Sequence, residues 1–281
     1  MSKFKAHINN IALSHAIFAL PFAYIGAILA AGGMPKVYDL LWITLAMMGA
    51  RSAAMALNNC IDLKYDRLQP RFANRPMVTG AVKPWEAVLL TLASLAVFFW
   101  ATTHLHPVCV KLGPVAVIPF AVYPYMKRIS WACHFVLGLS LSIAPIGAWV
   151  AIRGEITLPI ALLGLVVGIW IAGFDIIYGC QDVAFDKKNG LHSVPVRFGV
   201  QGALRMVKVM HMLSIIGFLI VGQLMDMQWV YYGGVMLAAV VLVYQHSIVS
   251  PTDFTKVTQT YFMRNGLVSI ALLVFTIISM M

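Results

Sequence analysis

Two runs of polar residues carry the chemistry this chain could do. One reads Asn58-x3-Asp62-x3-Asp66 and the other Asp175-x2-Tyr178-x3-Asp182-x3-Asp186. The chain has ten acidic residues, and five of them fall in these two runs. Each run ends a long apolar segment, where a carboxylate costs about 2.5–3.5 kcal/mol to insert into a bilayer. Acids kept in such a place point to function. Steps of four residues drift only about 40° around an α-helix, so Asn58, Asp62 and Asp66 form one stripe, with Arg51 deeper on the same stripe. Asp175, Tyr178, Asp182 and Asp186 are expected to share one face of a second helix. Carboxylates that meet across a cavity repel one another unless a cation lies between them. Hard oxygen ligands suit Mg²⁺, which readily shares phosphate oxygens. Bases lie close by: Arg71 and Arg75 after the first run, Lys188 after the second, and Lys127 and Arg128 closing another apolar segment. Arginine makes forked phosphate contacts and lysine point-charge contacts. The set fits a diphosphate bridged by Mg²⁺ to both runs. The reaction implied is departure of that diphosphate from an allylic carbon, with metal and bases stabilising the leaving charge. A dry apolar cavity would shield the carbocation from water.

The elements that must position these groups are membrane helices. The 281 residues are 61% hydrophobic and 11% charged, against about 25% charged in soluble domains. The expected fold is all-α, a polytopic membrane bundle in one domain spanning residues 1–281. Nine apolar spans can be marked: 11–32, 38–60, 86–104, 108–125, 130–152, 158–180, 203–223, 228–247 and 263–281. The first is long enough to cross a bilayer and reads as a span, not as a cleaved signal. Of the 20 Lys and Arg, only Lys36, Lys111 and Arg153 fall on one side of this topology; Arg51 is inside a span and the other 16 share the opposite side. The positive-inside rule makes that side cytoplasmic. The N-terminus is then cytoplasmic and the C-terminus outside. Both runs face the cytoplasm, and the two long loops, 61–85 and 181–202, cover the site. The order of spans suggests two blocks, one to four and five to eight, followed by one extra.

The net charge of +10 is spread through short loops between apolar runs, which argues against a nucleic-acid partner. The four cysteines show no CxxC spacing and read as small packing residues. His15 and His134, inside spans, read as groups satisfying local polar contacts, and no HxxxH spacing supports haem or zinc. An ion-coupled transporter would place acids near mid-membrane, whereas these stand at the ends of spans. The D-G-x2-A-R run of CDP-alcohol phosphotransferases does not occur.

The run RSAAMALNNCIDLKYD, followed by RFANRPMVTG, resembles the first signature of the UbiA superfamily of intramembrane prenyltransferases. DIIYGCQDVAFDKKNGLHSVPVRFG resembles the second, and YPYMKR and GLSLSIAPIGAW are similar to that family as well. The opening LSHAIFALPFAYIGAILA resembles its bacterial branch acting on 4-hydroxybenzoate, part of which serves menaquinone synthesis by prenylating 1,4-dihydroxy-6-naphthoate. The resemblance implies Mg²⁺-dependent transfer from a polyprenyl diphosphate to a small aromatic acid in quinone biosynthesis, in the bacterial cytoplasmic membrane. It implies Asn58, Asp62, Asp66, Asp182 and Asp186 as metal ligands, and Arg71, Arg75, Lys127, Arg128 and Lys188 as diphosphate contacts. It places Arg51, Asp175 and Tyr178 near the acceptor or the reacting carbon. Two alternatives stay open: Arg51 as a structural charge, and Asp175 as its holder. Three positions depart from the ubiquinone-pathway pattern. Asn59 stands for a common Asp, Leu63 for an Arg and His192 for a Lys, which leaves the acceptor open.

Overall fold

The protein, seen in a computed structural model, is described at residues 3–11, 16–257 and 259–281. His15 lies outside the described residues. Eleven α-helices follow in order: α1 Lys3–Asn10, α2 Ala16–Ala31, α3 Val37–Asp66, α4 Pro84–Thr102, α5 Val108–Ile129, α6 Cys133–Arg153, α7 Leu158–Gly179, α8 Val183–Lys188, α9 Val194–Leu224, α10 Trp229–Ser247 and α11 Gln259–Met280. No strand occurs among the described residues.

Local sequence sets the helix ends. Glu86 accepts a hydrogen bond from the Lys83 amide at 2.8 Å, closing the first turn of α4, and also pairs with Lys3 of α1. Ser193 caps α9 by accepting from the Val196 amide at 3.3 Å. Gly154 ends α6 in the left-handed region, at φ 75°, a conformation that costs glycine little. Pro114, Pro119 and Pro124 lie inside α5, as membrane helices tolerate.

Among the described residues, seven helical stretches are long and apolar enough to cross a membrane: α3, α4, α5, α6, Leu158–Lys188, α9 and α10. Ala19–Ala31 and Asn265–Met280 are shorter apolar helices. The protein is thus an integral membrane bundle. Helix α3 packs on α4, α6 packs on α2, α5 and α7, and α7 packs on α9; α10 packs on α11, which returns to α2. Phe22 of α2 sits at the junction, edge-on to Trp170 of α7 at 5.5 Å and stacked on Phe218 of α9 at 6.2 Å. Aromatic pairs at such distances add about 0.5–1.5 kcal/mol beyond their burial.

The first polar run lies on one helix, as expected, and the second does not. Helix α3 continues through Asp66, so 61–66 is helical and the first run is one stripe. Helix α7 ends at Gly179, a 3-10 turn spans Cys180–Asp182, and α8 begins at Val183. The tighter turn, with about 3.0 residues per turn in place of 3.6, shifts the phase between Tyr178 and Asp186. Helix α9 starts at Val194, inside the expected loop 181–202. Gly199, at φ 71° and ψ 162°, kinks it before the expected span.

Candidate active site

The C-terminal ends of α3, α5 and α7 and the N-terminal end of α6 converge on a cavity of about 340 Å³. Both polar runs line it: Asn58, Asp62 and Asp66 from α3, Asp175 and Tyr178 from α7, Asp182 from the 3-10 turn and Asp186 from α8. Arg51, Arg71, Arg75, Lys127 and Arg128 line it too. Lys188 does not; it is exposed at the end of α8.

Four of the carboxylates pair one-to-one with four bases. Arg128 Nη2 lies 2.9 Å from Asp62 Oδ1, and Arg75 Nη1 lies 2.6 Å from Asp66 Oδ2. Arg71 Nη2 lies 2.7 Å from Asp182 Oδ2, and Lys127 Nζ lies 3.2 Å from Asp186 Oδ2. The pairing crosses between the runs. Arg71 follows the first run yet binds Asp182 of the second. The neighbours Lys127 and Arg128 divide at the end of α5, one to each run. Asp66, Asp182 and Asp186 are buried, and each of these acids faces one cation partner, the arrangement that a buried carboxylate requires.

Aromatic rings hold the bases in place. The Arg71 guanidinium lies 4.8 Å from both the Tyr178 and the Phe72 ring, and Arg75 lies 3.7 Å from Phe72. Arg128 lies 5.1 Å from Tyr65. Gln69 Nε2 donates to Asp182 Oδ1 at 3.0 Å. Tyr65 lies within the first run and Gln69 and Phe72 follow it; carrying no charge, they gave no signal in the sequence.

Arg51 is joined to no carboxylate by an ion pair among the described residues. Its Nε is buried without a hydrogen-bond partner. Asp175 pairs instead with His134, Oδ2 to Nδ1 at 2.7 Å. Arg51 stands where the polar cavity meets a second, apolar one of about 480 Å³ between α3, α4, α5 and α6. Arg51, Met55, Tyr123, Leu137 and Leu141 line both. Tyr123 and His134 are site residues the spacing did not single out; His134 makes the local contact expected of it, and that contact lies in the site.

The three departures from the ubiquinone-pathway pattern all lie off the cavity lining. Asn59 is buried and donates to the Asn10 carbonyl at 2.6 Å, tying α1 to α3. Leu63 packs beside Ala6, Met77 and Val82. His192 is exposed, and its amide donates to the Lys127 carbonyl at 2.7 Å.

Among the described residues, no cluster of three or more His, Cys, Asp or Glu side chains could hold a metal ion unaided. The donor set around the cavity is nonetheless five carboxylates and the Asn58 amide, all hard-oxygen chemistry suited to Mg²⁺ shared with phosphate.

Residues 19–267 match the UbiA prenyltransferase family. A 4-hydroxybenzoate octaprenyltransferase of Aeromonas salmonicida is 31% identical over 221 residues, covering 79% of this chain and 76% of the relative. Its counterpart in Aliivibrio fischeri is 28% identical over 253 residues, covering 87% and 86%. The apo structure of a UbiA homolog from Aeropyrum pernix K1 superposes with a TM-score of 0.86 at 32% identity, over 95% of this chain and 98% of that one. A UbiA homolog from Archaeoglobus fulgidus, bound to GPP and Mg²⁺, shares the fold at a TM-score of 0.75 and 20% identity, over 98% of this chain and 99% of that one.

Proposed function

This chain belongs to the UbiA prenyltransferase family, and we propose that it transfers a polyprenyl group from its diphosphate to a hydroxylated aromatic acid, 4-hydroxybenzoate, in quinone biosynthesis. The observation that carries this reading is the polar cavity of four acid–base pairs opening, at Arg51, into an apolar cavity. One end suits a diphosphate and the other a prenyl tail. The relatives named for 4-hydroxybenzoate support the acceptor class.

Asn58, Asp62, Asp66, Asp182 and Asp186 would hold Mg²⁺, which when bound neutralises the diphosphate and draws off charge as the carbon–oxygen bond breaks. Arg71, Arg75, Lys127 and Arg128 would contact the diphosphate oxygens. In the structure these bases engage the acids, so an arriving diphosphate exchanges one anion for another on the same side chains. The aromatic rings beside Arg71 and Arg75 keep the guanidinium planes in place through that exchange. Lys188, outside the lining, is left without a role in the cradle. Tyr178 would face the reacting carbon. Arg51, with its buried unpartnered Nε, would take the acceptor's carboxylate. The ring carbon beside the phenolic hydroxyl then attacks C1 of the prenyl group, and loss of the ring proton restores aromaticity.

The nine-span topology belongs to the same reading. Helices α2 and α11 add two crossings to the seven long ones. The N-terminus and the polar cavity face the cytoplasm of a bacterial inner membrane, and the C-terminus faces outward.

The test is purified protein in detergent, supplied with Mg²⁺ and labelled geranyl diphosphate. Each of 4-hydroxybenzoate, 1,4-dihydroxy-6-naphthoate and 1,4-dihydroxy-2-naphthoate is offered, and product mass is read. A prenylated 4-hydroxybenzoate is expected. Product from a naphthoate alone reassigns the acceptor, and no product from any of the three removes the aromatic-acid reading.

A further inference from the structure

One carboxylate in the polar cavity is held unlike the others. Asp62, Asp66, Asp182 and Asp186 each face an arginine or lysine, whose charge is permanent. Asp175 faces an imidazole: its Oδ2 lies 2.7 Å from His134 Nδ1. The two residues come from neighbouring helices, α6 and α7, and both line the cavity. His134 is only 1% exposed, whereas the Asp175 side chain keeps 34% of its surface open. The imidazole is therefore sealed in the wall and the carboxylate reaches the space beyond. The other ring nitrogen, Nε2, is buried without a hydrogen-bond partner. The ring is packed against Gly179, where a Cβ would come within 3.1 Å of its Cε1. The buried imidazole thus holds Asp175 from within the wall.

The four other acids are each engaged by an arginine or lysine, whereas Asp175 is held by a ring sealed in the wall and keeps a third of its side chain open to the cavity. Imidazole–carboxylate dyads orient reacting groups in unrelated sites. Asp175 also lies one turn before Tyr178 in α7 and lines the same cavity as Arg51.

We infer that Asp175 is the base that takes the ring proton from the acceptor after the prenyl group has joined it, and that His134 is its positioning residue. The step balances within the site. The carbon–oxygen bond of the donor breaks and its electrons leave with the diphosphate. A pair from the ring forms the new carbon–carbon bond. The electrons of the carbon–hydrogen bond then return to the ring, and the proton passes to the Asp175 carboxylate. His134 donates from Nδ1 to Oδ2 and so fixes which way the carboxylate faces. This inference rests on the aromatic-acceptor reading above.

The test uses whichever of the three phenolic acids the wild-type protein prenylates, with deuterium on the ring carbons beside the hydroxyl. In the wild type, proton loss is fast and the isotope effect on turnover is close to unity. Asp175→Asn lowers kcat by about 10²-fold, at the lower end of what a positioned base contributes, and raises the isotope effect clearly above unity. His134→Ala does the same to a smaller degree. His134→Asn, whose amide can still donate to Oδ2, recovers most of the rate and a near-unity isotope effect. Thermal unfolding of each purified variant separates these effects from misfolding. An isotope effect unchanged in both Asp175→Asn and His134→Ala, in folded protein, overturns the inference and leaves the prenyltransferase reading standing. A wild-type protein that prenylates none of the acids removes both.

Discussion

At the scale of residues, the proposed reaction asks the bases of the site to exchange partners. Arg71 binds Asp182 at 2.7 Å while its guanidinium lies 4.8 Å from the rings of Tyr178 and Phe72. A lysine there would keep the charge but lose the planar fork and the ring contact. Arg71→Lys is expected to lower kcat/KM for the prenyl diphosphate about tenfold to hundredfold, the weight of one charge-assisted bond of about 1.5–3 kcal/mol. Steady-state kinetics with the donor varied checks this; a wild-type kcat/KM would remove Arg71 from the cradle. Asp66→Ala and Asp182→Ala are expected to cut turnover by at least about 10²-fold, the scale set by losing one electrostatic contact to the leaving group. Each leaves behind an arginine that is already part-exposed, so both variants should purify folded, as unfolding in detergent would report. The acids were legible from composition and spacing alone. Their partners were not, because Lys127 with Asp186 and Arg128 with Asp62 join positions far apart in the chain.

At the scale of elements, the close approach of α6 and α7 holds the second run in place. A Cβ on Gly138 would collide with the carbonyl oxygen of Gly168, whereas a Cβ on Gly168 would lie 3.1 Å from the Gly138 carbonyl. Small residues permit such backbone contact between membrane helices. Gly138→Val is therefore expected to destabilise the protein by about 1–3 kcal/mol, the usual cost of overpacking, and to reduce turnover by shifting Asp175 and Asp182 from α3. Gly168→Ala should be milder, since its neighbour needs to move only a few tenths of an ångström. Equal melting temperatures for Gly138→Val and wild type would remove this contact as the determinant of spacing. Hydropathy marked α6 and α7 to within a few residues, because long apolar runs leave few other folds, but it missed the first nine residues of α9 and the short helix α8. It could not show the 3-10 turn at Cys180–Asp182. A run spaced 3, 4, 4 fits a continuous helix equally well, and only packing against α9 and the cavity decides between the two. The kink at Gly199 was hidden for a similar reason: one glycine in a helical pattern reads as tolerated until its φ is known.

At the scale of the whole molecule, two cavities of opposite character meet at Arg51, and under the proposed function their junction divides the donor. The polar cavity lies among helix ends and takes charge. The apolar cavity runs beside α3 toward its N-terminal half, past Ala50, Ala46 and Ile43, and on to Leu105 and Ile156. None of this second cavity was legible in sequence, because Ala, Met and Phe in a membrane span line a tunnel or face lipid with the same composition. The division predicts a separation of effects. A substitution deep in the apolar cavity should change which tail is accepted without altering the charge chemistry around the diphosphate. Ala46 is buried and lines only the apolar cavity, so Ala46→Phe narrows the path beyond the first part of the tail. Turnover of an octaprenyl donor should fall relative to that of dimethylallyl diphosphate by about five- to 150-fold, which is the overpacking cost of about 1–3 kcal/mol expressed as a ratio. Turnover with the short donor should stay near wild type, since a five-carbon group needs only the space around Arg51 and Tyr123. Parallel assays of both donors decide it. Equal losses for the short and long donors would mean that the tail does not enter this cavity and must leave the site by another route.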